Sequence, residues 1–350
     1  MKILHVTETL AAGVLDVIAA MATSQRELGH SVAVLHVDRP ETPPSAELDE
    51  RLEGVDLIHL GHRESGRAKR LAVLARALGD LAPHGYDIVH LHSTFAGLVG
   101  RIVRIADVTI YSPHGYSFLR ANERKGTRIA YLAVERILRS RSALTLCVSE
   151  DERIVAMNSV RAKAITVRNT LNLESLGEPA RPATRRQPKV VNVGRWAPQK
   201  GPDRFVRAAS ALSSMATFRW IGDAPTDASH RWSASGWLDP NKVLDELRSA
   251  DVIYFTSRWE GMPVGLMQAQ ALGVPAVAVR CSGVDDVVID GVTGIVADDE
   301  ATALRHLEGV LRDSAALRVL ADGALSKRTR FSDEGYGEAT IHAYRLAGAR

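Results

Sequence analysis

The chain has 350 residues, of which 44 are Lys or Arg and 41 are Asp or Glu, and 45% are apolar. This length suits two domains of ordinary size, and the composition is typical of a soluble α/β protein. A net charge of +3 is too small to indicate a nucleic-acid partner, and no apolar run approaches the roughly 18 residues expected of a membrane-spanning helix. Cys147 and Cys281 lie beside apolar sequence, so we expect buried thiols in a reducing cytoplasm.

The first half of the chain alternates strand and helix patterns, which predicts a parallel sheet with right-handed crossovers. Gly13, in the loop after the first strand, opens a helix and would let an anion approach the helix N-terminus, although an ordinary turn explains it nearly as well. His90 and His92 have the spacing of a metal pair, but no third ligand accompanies them, so a structural role is favoured. Predicted strands lie at 3–6, 31–37, 57–60, 88–92, 109–111 and 144–148, and predicted helices at 14–28, 69–81, 95–106 and 128–140.

Glycine, proline and charged residues interrupt this pattern at 174–189, which predicts an interdomain linker. A second series follows, with strands at 190–193, 218–221, 252–255 and 276–279 and helices at 203–212 and 241–250. The sequence therefore predicts two doubly wound domains, 1–175 and 189–331, a linker at 176–188, and a last helix at 332–350 that begins at a cap formed by 332–334. Two such domains in tandem place the carboxyl ends of both sets of strands, where ligands bind, on one interdomain cleft.

The segment 257–275 is the most informative part of the chain. Glu260 and Gly261 follow a predicted buried strand, and Pro263 is a favoured first residue for the apolar helix that Gly273 then ends. A carboxylate at the end of a strand, followed by the free N–H groups of a helix start, predicts a site for an anionic, hydroxyl-rich ligand. Gln268 is a polar residue inside this apolar helix, and a purely structural strand–turn–helix would need neither it nor the Glu–Gly step.

Two candidate cations, Arg195 and Lys200, lie in the loop after the first predicted strand of the second half. Gly194 and Arg195 open this loop, and Lys200 and Gly201 close it. A forked guanidinium and an ammonium at one strand end can offset the negative charge of a departing nucleoside diphosphate. A solvated loop with two basic residues is the alternative.

These two segments resemble signatures of the retaining glycosyltransferases of family 4. Glu260 stands at the first position of the family's Glu-x7-Glu signature, whose second position is Gln268 instead of Glu, and residues 194–201 match Gly-Arg-x4-Lys-Gly. The resemblance covers essentially the whole chain and implies a GT-B fold, in which two Rossmann-like domains face a cleft and the last helix packs back on the first domain. It further implies transfer of a sugar from a nucleotide donor to an acceptor hydroxyl, with retained anomeric configuration.

The resemblance also implies roles for individual residues. Glu260 would bind hydroxyls of the donor sugar, Gln268 the ribose, and His114 a sugar hydroxyl or the reacting centre, while Arg195 and Lys200 would face the leaving diphosphate. Ser149 and Asn169 match positions at the cleft floor, although a helix N-cap is an equally supported role for Ser149. The positions implied to line the donor site are Gly13, Gly194, Gly261, Met262, Pro263 and Val264.

We expect no cofactor. The sequence contains no Asp-x-Asp, so the usual carboxylate clamp for a divalent metal on a sugar nucleotide is absent, and Arg195 and Lys200 would supply its electrostatic effect. Two alternatives remain: a nucleotide-sugar epimerase of the same architecture, and a catalytically silent, glycosyltransferase-like binding subunit that Gln268 in place of Glu would permit.

The expected partners are a nucleotide-sugar donor, with UDP favoured and GDP as the alternative, and a saccharide or lipid-linked acceptor. Basic residues are concentrated at 120–141, next to Ile129, Leu132 and Ile137. This pattern predicts a cytoplasmic protein that binds peripherally to an anionic membrane surface. Alternatively, the apolar residues of this segment pack on the sheet and the arginines are solvated.

Overall fold

The computed structural model describes residues 1–61, 66–120, 122–179, 187–225 and 231–349. The chain divides into two compact units, and each contains one parallel sheet with helices connecting its strands. The first unit comprises residues 1–119, 123–170 and 333–350, and the second comprises 120–122 and 171–332. The predicted fold class, two doubly wound α/β domains, is confirmed.

The sheet of the first unit has seven strands in the order β3-β2-β1-β4-β5-β6-β7. Its central strands are buried on both faces, which explains why they are nearly continuous apolar runs in the sequence. The strands are β1 (Lys2–Thr7), β2 (Ser31–His36), β3 (Asp56–His59), β4 (Ile88–His92), β5 (Val108–Ser112), β6 (Leu144–Cys147) and β7 (Ala164–Thr166), and the helices are α1 (Ala12–Glu27), α2 (Ser45–Arg51), α3 (Arg67–Leu81), α4 (Ser93–Val103), α5 (Lys125–Leu138) and α6 (Glu150–Val155).

The sheet of the second unit has six parallel strands in the order β10-β9-β8-β11-β12-β13. Phe205, Trp220 and Tyr254 are fully buried members of its core, and their rings account for much of the apolar surface removed from water. The strands are β8 (Lys189–Val193), β9 (Thr217–Ile221), β10 (Ser233–Ala234), β11 (Val252–Phe255), β12 (Ala276–Val279) and β13 (Gly294–Ala297), and the helices are α7 (Pro202–Leu212), α8 (Pro240–Arg248), α9 (Val264–Ala271), α10 (Glu300–Arg312) and α11 (Ser314–Ser326).

The last helix, α12 (Tyr336–Leu346), belongs to the first unit and packs against α1. The side-chain amide of Gln25 on α1 donates to the hydroxyls of Thr340 and Tyr344, at 3.1 Å and 3.0 Å. These three polar groups are buried, so their hydrogen bonds fix the position of the C-terminal helix against the sheet.

Several predicted boundaries differ from the structure. Gly335, with φ of 75°, is the N-cap of α12, so the cap predicted at 332–334 is wrong. Pro263 has an extended conformation and is the N-cap of α9 rather than its first helical residue. Residues 180–186 of the predicted linker, and residue 350 of the predicted last helix, lie outside the described residues.

Candidate active site

In the second unit, two loops that follow neighbouring strands bring Lys200 and Glu260 into contact. Strands β8 and β11 pair directly, so the loops at their carboxyl ends lie side by side. The Lys200 Nζ atom donates to Glu260 Oε1 at 2.8 Å. The sequence placed these residues on separate loops, and the structure shows that they form one ion pair.

Glu260 is held from several directions and only 8% of its surface is exposed. Gln199 donates from Nε2 to Glu260 Oε2 at 3.2 Å and to the Trp259 carbonyl at 3.1 Å, and the Ser282 hydroxyl donates to the Glu260 carbonyl at 2.9 Å. A carboxylate has about four acceptor sites, so two N–H donors leave acceptor capacity for ligand hydroxyls. Gln199 and Ser282 were not predicted from the sequence, and no local pattern distinguishes them.

Glycines allow the close approach of these loops. Gly201 has φ of 64°, and a Cβ atom there would lie 2.2 Å from the Thr256 carbonyl oxygen, which follows β11. The Thr256 hydroxyl donates in turn to the Lys200 carbonyl at 2.7 Å. A Cβ atom at Gly194, where φ is 139°, would lie 2.8 Å from Cε of Lys200. Gly201 therefore permits the close approach of the two loops, and Gly194 leaves room for the Lys200 side chain.

Arg195 lies on the same loop as Lys200, and its side chain is exposed. The ion pair with Glu260 is made by Lys200, so the two predicted cations have different surroundings.

Helix α9 follows the Glu260 loop. Gly261, Met262, Pro263 and Val264 are buried at its start. Gly283 packs so closely on this turn that a Cβ atom there would lie 2.0 Å from the Gly261 carbonyl oxygen. The first N–H groups of a helix have no partner within the helix, so the sequence-based prediction of an anion-binding helix start concerns this turn.

The two glutamines of α9 have different environments. Gln270 is buried and donates to the carbonyls of Val274 and Thr293, both at 3.0 Å, so it joins the helix end to the chain before β13. Gln268 is half-buried and its side chain makes no hydrogen bond within the described residues. Gln268 is therefore the glutamine with donor and acceptor groups available to a ligand.

In the first unit, His114 ends a chain of three imidazoles. His114 Nε2 lies 2.9 Å from His92 Nδ1, and His92 Nε2 lies 2.9 Å from His5 Nδ1. His5 Nε2 lies 2.9 Å from Gln25 Oε1. The sequence analysis did not identify His5 and Gln25. The only signal in the sequence is that two predicted strands each contain histidine. The sequence does not specify that these strands pair, with His5 opposite His90.

These histidines are neutral at physiological pH. Burial lowers the pKa of His5 and of His114 to about 4, and it lowers the pKa values of His90 and His92 well below their usual range, with neighbouring imidazoles adding to the effect. The row of three hydrogen-bonded imidazoles therefore transmits hydrogen-bond direction rather than charge.

The backbone at His114 is held by a carboxylate that the sequence analysis missed. His114 has φ of 50°, in the left-handed region, and Glu152 accepts from the backbone N–H groups of Gly115 at 2.6 Å and Val148 at 2.9 Å. Burial raises the pKa of Glu152 to about 7. Ser149 is the N-cap of α6 and accepts from the Glu152 N–H at 3.2 Å, which is the structural role considered for it.

The remaining predicted residues of the first unit are Asn169 and Gly13. Asn169 is buried beyond β7. Gly13 is the second residue of α1 and is helical, whereas the preceding Ala12 adopts the left-handed conformation, with φ of 48°. The glycine predicted to open this loop is therefore one residue away from the position that needs positive φ.

Two groups of side chains in the described residues have metal-ligand character. One nitrogen each from His5, His90 and His92 lie within 4.8 Å of one another, and a second group comprises His36, Asp38 and His59. His5 is thus the third imidazole that the sequence did not reveal beside His90 and His92. In the first group, however, every ring nitrogen is engaged in a hydrogen bond. In the second, Asp38 Oδ1 lies 3.4 Å from His36 Nδ1 and 3.7 Å from His59 Nδ1.

Two protein-family models match this chain. A model described as "Glycosyl transferase 4-like domain" matches residues 12–170, and one described as "Glycosyl transferases group 1" matches residues 187–313. The matched ranges contain every predicted site residue in the two units.

Two relatives with low sequence identity align with more than half of this chain. An uncharacterized 41.2 kDa protein in the cps region of Klebsiella pneumoniae is 26% identical over 86% of this chain and 87% of its own. The UDP-Gal:alpha-D-GlcNAc-diphosphoundecaprenol alpha-1,3-galactosyltransferase of Escherichia coli is 26% identical over 57% of this chain and 59% of its own.

Solved structures share the fold over nearly the full length. Sucrose-phosphate synthase from Thermosynechococcus elongatus has a TM-score of 0.82 at 18% identity, covering 99% of this chain and 98% of its own. The HepE protein of Anabaena, in complex with UDP, has a TM-score of 0.77 at 16% identity, covering 99% and 100%. At these identities the likeness shows the fold alone.

Proposed function

The chain belongs to the family 4 type of GT-B glycosyltransferases, which transfer a sugar from a nucleotide donor, and we propose that it does so with retained anomeric configuration. The observation that supports sugar transfer from such a donor is the Lys200–Glu260 ion pair at the ends of two paired strands, whereas retention follows from the resemblance to the family's signatures. An anion-binding cation and a hydroxyl-binding carboxylate in contact suit a ligand in which a sugar is joined to a diphosphate.

In the proposed reaction, Lys200 and Arg195 offset charge on the leaving diphosphate. An ammonium has three N–H donors, and Lys200 uses one on Glu260, which leaves donors for phosphate oxygens. The bond between the anomeric carbon and the diphosphate oxygen breaks, and the acceptor oxygen bonds the same carbon on the same face. The acceptor's hydroxyl proton passes to the departing phosphate. Preorganised charges of this kind act most strongly where negative charge develops.

Glu260 would accept hydrogen bonds from hydroxyls of the donor sugar and favour positive charge near the anomeric carbon. Its contacts with Lys200 and Gln199 keep the carboxylate oriented before the ligand arrives. His114 would bind a sugar hydroxyl or the reacting centre. Gln268 would bind the ribose, for which its half-buried amide offers both a donor and an acceptor.

We further propose a UDP-sugar as the donor and no metal in the reaction. Related proteins support the donor: the Escherichia coli relative is named for UDP-Gal, and the Anabaena structures hold UDP or UDP-glucose. In this proposal Lys200, which is paired with Glu260, and the exposed Arg195 supply the positive charge that a divalent ion would otherwise supply.

The proposed acceptor is a lipid-linked saccharide at an anionic inner membrane surface, reached through helix α5. Ile129 is 59% exposed and Ile137 is 73% exposed on this helix, and Lys125, Arg128 and Arg136 are exposed beside them. The alternative, that the apolar residues of this segment pack on the first unit, holds for Leu132 and Tyr131, which are partly buried against its core beside the buried Leu138 and Glu135, but not for the two exposed isoleucines. Glu135 accepts from Arg101 and from the Tyr111 hydroxyl.

Apolar side chains flanked by bases suit an anionic bilayer, where each nearby basic residue contributes about 1 kcal/mol. In a liposome flotation assay with anionic vesicles, Ile129→Asp and Ile137→Asp should reduce binding, and added salt should reduce it too. Val319→Asp, at an exposed valine of the second unit, is the matched control. Absence of binding by the parent protein at low salt would contradict the membrane proposal.

No helix among the described residues meets the length and hydropathy needed to cross a bilayer.

The transferase proposal is tested with a panel of sugar nucleotides. A bound donor at about 100 times its Kd raises the stability by about 2.7 kcal/mol, which a thermal-shift measurement detects. The stabilising donor is then incubated with candidate acceptors, and products are identified by mass spectrometry with assignment of the anomeric configuration. An altered free sugar nucleotide would indicate an epimerase, binding without turnover would indicate a silent subunit, and an inverted product would contradict retention.

A further inference from the structure

We propose that the C-terminal helix α12 sets the tautomer of His114 through Gln25, His5 and His92, and that these three act as positioning residues. The inference rests on the proposed function, in which His114 binds the donor sugar. It concerns which of the two ring nitrogens of His114 carries a proton.

The donor–acceptor direction of this row of hydrogen bonds is fixed at its α12 end by a backbone carbonyl. The Thr340 hydroxyl donates its only proton to the Gly337 carbonyl at 2.8 Å. Thr340 can therefore only accept from Gln25, and the group of Gln25 that faces it at 3.1 Å must be the NH₂. The carbonyl oxygen of Gln25 then faces His5.

Each following hydrogen bond inherits this direction. Because Gln25 Oε1 can only accept, His5 carries its proton on Nε2 and its Nδ1 is an acceptor. His92 must then donate from Nε2 to His5, which leaves His92 Nδ1 as an acceptor. His114 must donate from Nε2 to His92, so the lone pair of His114 is on Nδ1.

A second branch gives the same orientation of Gln25 independently. The Ser112 hydroxyl donates to the Leu146 carbonyl at 2.7 Å, so His90 must donate from Nε2 to Ser112. His90 Nδ1 then accepts from the Tyr344 hydroxyl at 2.7 Å, a much closer partner than the Met21 sulfur at 3.7 Å. The Tyr344 oxygen can therefore only accept from the NH₂ of Gln25.

In the two branches, every ring nitrogen of these four histidines except His114 Nδ1 forms a hydrogen bond within the network. In this tautomer His114 accepts a hydrogen bond, so the ligand group it recognises is a hydroxyl that donates. Burial keeps all four imidazoles neutral, as their lowered pKa values indicate, so the tautomer and not the charge is the property under control.

The test uses the full chain labelled with ¹⁵N in its histidines, because two-bond ¹H–¹⁵N correlations identify the tautomer of each ring without any activity measurement. In the parent, His114, His92 and His5 should each be neutral with the proton on Nε2. In Gln25→Met, and in the double variant Thr340→Val with Tyr344→Phe, which frees the Gln25 amide to turn, His114 should populate both tautomers.

We expect turnover in these variants to fall about tenfold, the effect of one hydrogen bond, with the donor KM changed less than about twofold. Thr340→Ser combined with Tyr344→Phe keeps one orienting hydroxyl and should restore a single tautomer. Tyr336→Phe is the matched control, because this buried tyrosine of α12 has no hydrogen-bond partner for its hydroxyl in the described structure.

A proton on His114 Nδ1 in the parent, or an unchanged tautomer in folded Gln25→Met, would overturn the proposal. Unchanged turnover despite a mixed tautomer would overturn the positioning role. A parent protein with the expected tautomer but no transferase activity would instead overturn the proposed function and leave the orienting network in place.

Discussion

The candidate site residues of the two units are held by different physical interactions. In the first unit, His5, His92 and His114 are neutral and connected by hydrogen bonds, so their arrangement depends on the direction of each donor. In the second, Lys200 and Glu260 are oppositely charged, so their attraction depends mainly on distance. A network of neutral groups can therefore fail through one reversed hydrogen bond, whereas an ion pair fails only when a charge is removed.

The largest expected difference between the units is in their response to acid. A histidine whose folded pKa is depressed contributes stability that is complete above about pH 6.5 and is lost as pH falls toward 4, because the unfolded chain takes up the proton first. For His5 alone, whose pKa falls to about 4, this amounts to about 3 kcal/mol. Glu152, with a pKa raised to about 7, opposes the trend between pH 7 and 4.5, but it is one group against several histidines.

Urea unfolding at pH 7.5 and pH 5 tests this difference with two probes. All five tryptophans belong to the second unit, so their fluorescence follows that unit alone, and six of the seven tyrosines belong to the first, so near-ultraviolet circular dichroism of tyrosine follows it. The tyrosine midpoint should fall more than the tryptophan midpoint at pH 5. Equal shifts would contradict a special role for the histidines.

The next largest effect concerns the cations of the second unit. Lys200→Ala and Arg195→Ala should each lower turnover about 100- to 1000-fold, because in the proposed mechanism each removes a positive charge that offsets the charge of the leaving group, worth about 3 kcal/mol. Lys242→Ala, at an exposed lysine of α8, should leave turnover unchanged. Near-normal turnover in both Ala variants would remove these residues from the proposed mechanism.

A smaller effect distinguishes the two glutamines of α9. Gln268→Glu should change nucleotide affinity by about tenfold without changing the melting temperature, because a carboxylate accepts from two ribose hydroxyls where the amide accepts and donates. Gln270→Glu should have the opposite outcome, since its buried carboxylate would face the carbonyls of Val274 and Thr293. Calorimetry and thermal unfolding separate the two, and unchanged nucleotide affinity in both Gln268→Glu and Gln268→Ala would show that Gln268 faces elsewhere.

The smallest expected effect is that of a chelator. Exhaustive treatment with EDTA should leave transferase activity and the melting temperature unchanged, because in the proposed mechanism Lys200 and Arg195 supply the positive charge, and the imidazoles around His5 are already hydrogen-bonded to one another. Complete loss of activity that Mn²⁺ or Mg²⁺ restores would contradict metal independence. A fall in the melting temperature alone would point to a structural metal in the first unit.

The sequence alone determined the fold class and the local placement of several candidate residues. Strand and helix periodicity is a local property, and so is the position of a side chain just after a strand, as with Lys200 and Glu260. The sequence did not separate the two orientations of α5, because Ile129 and Ile137 form an apolar face equally suited to a sheet or to a membrane. It also placed Pro263 one residue too far into its helix.

Only the tertiary structure decided which of the polar side chains are in contact. His5, Gln25 and Tyr344 come from β1, α1 and α12, and their contact with His90 and His92 depends on the pairing of β1 with β4 and on the return of the last helix to the first unit. Strand order and the return of the last helix bring together residues 319 positions apart, as in the Gln25–Tyr344 hydrogen bond. Hydrogen-bond direction is decided by the partners at both ends, so the tautomer of His114 depends on carbonyls that no local sequence pattern identifies.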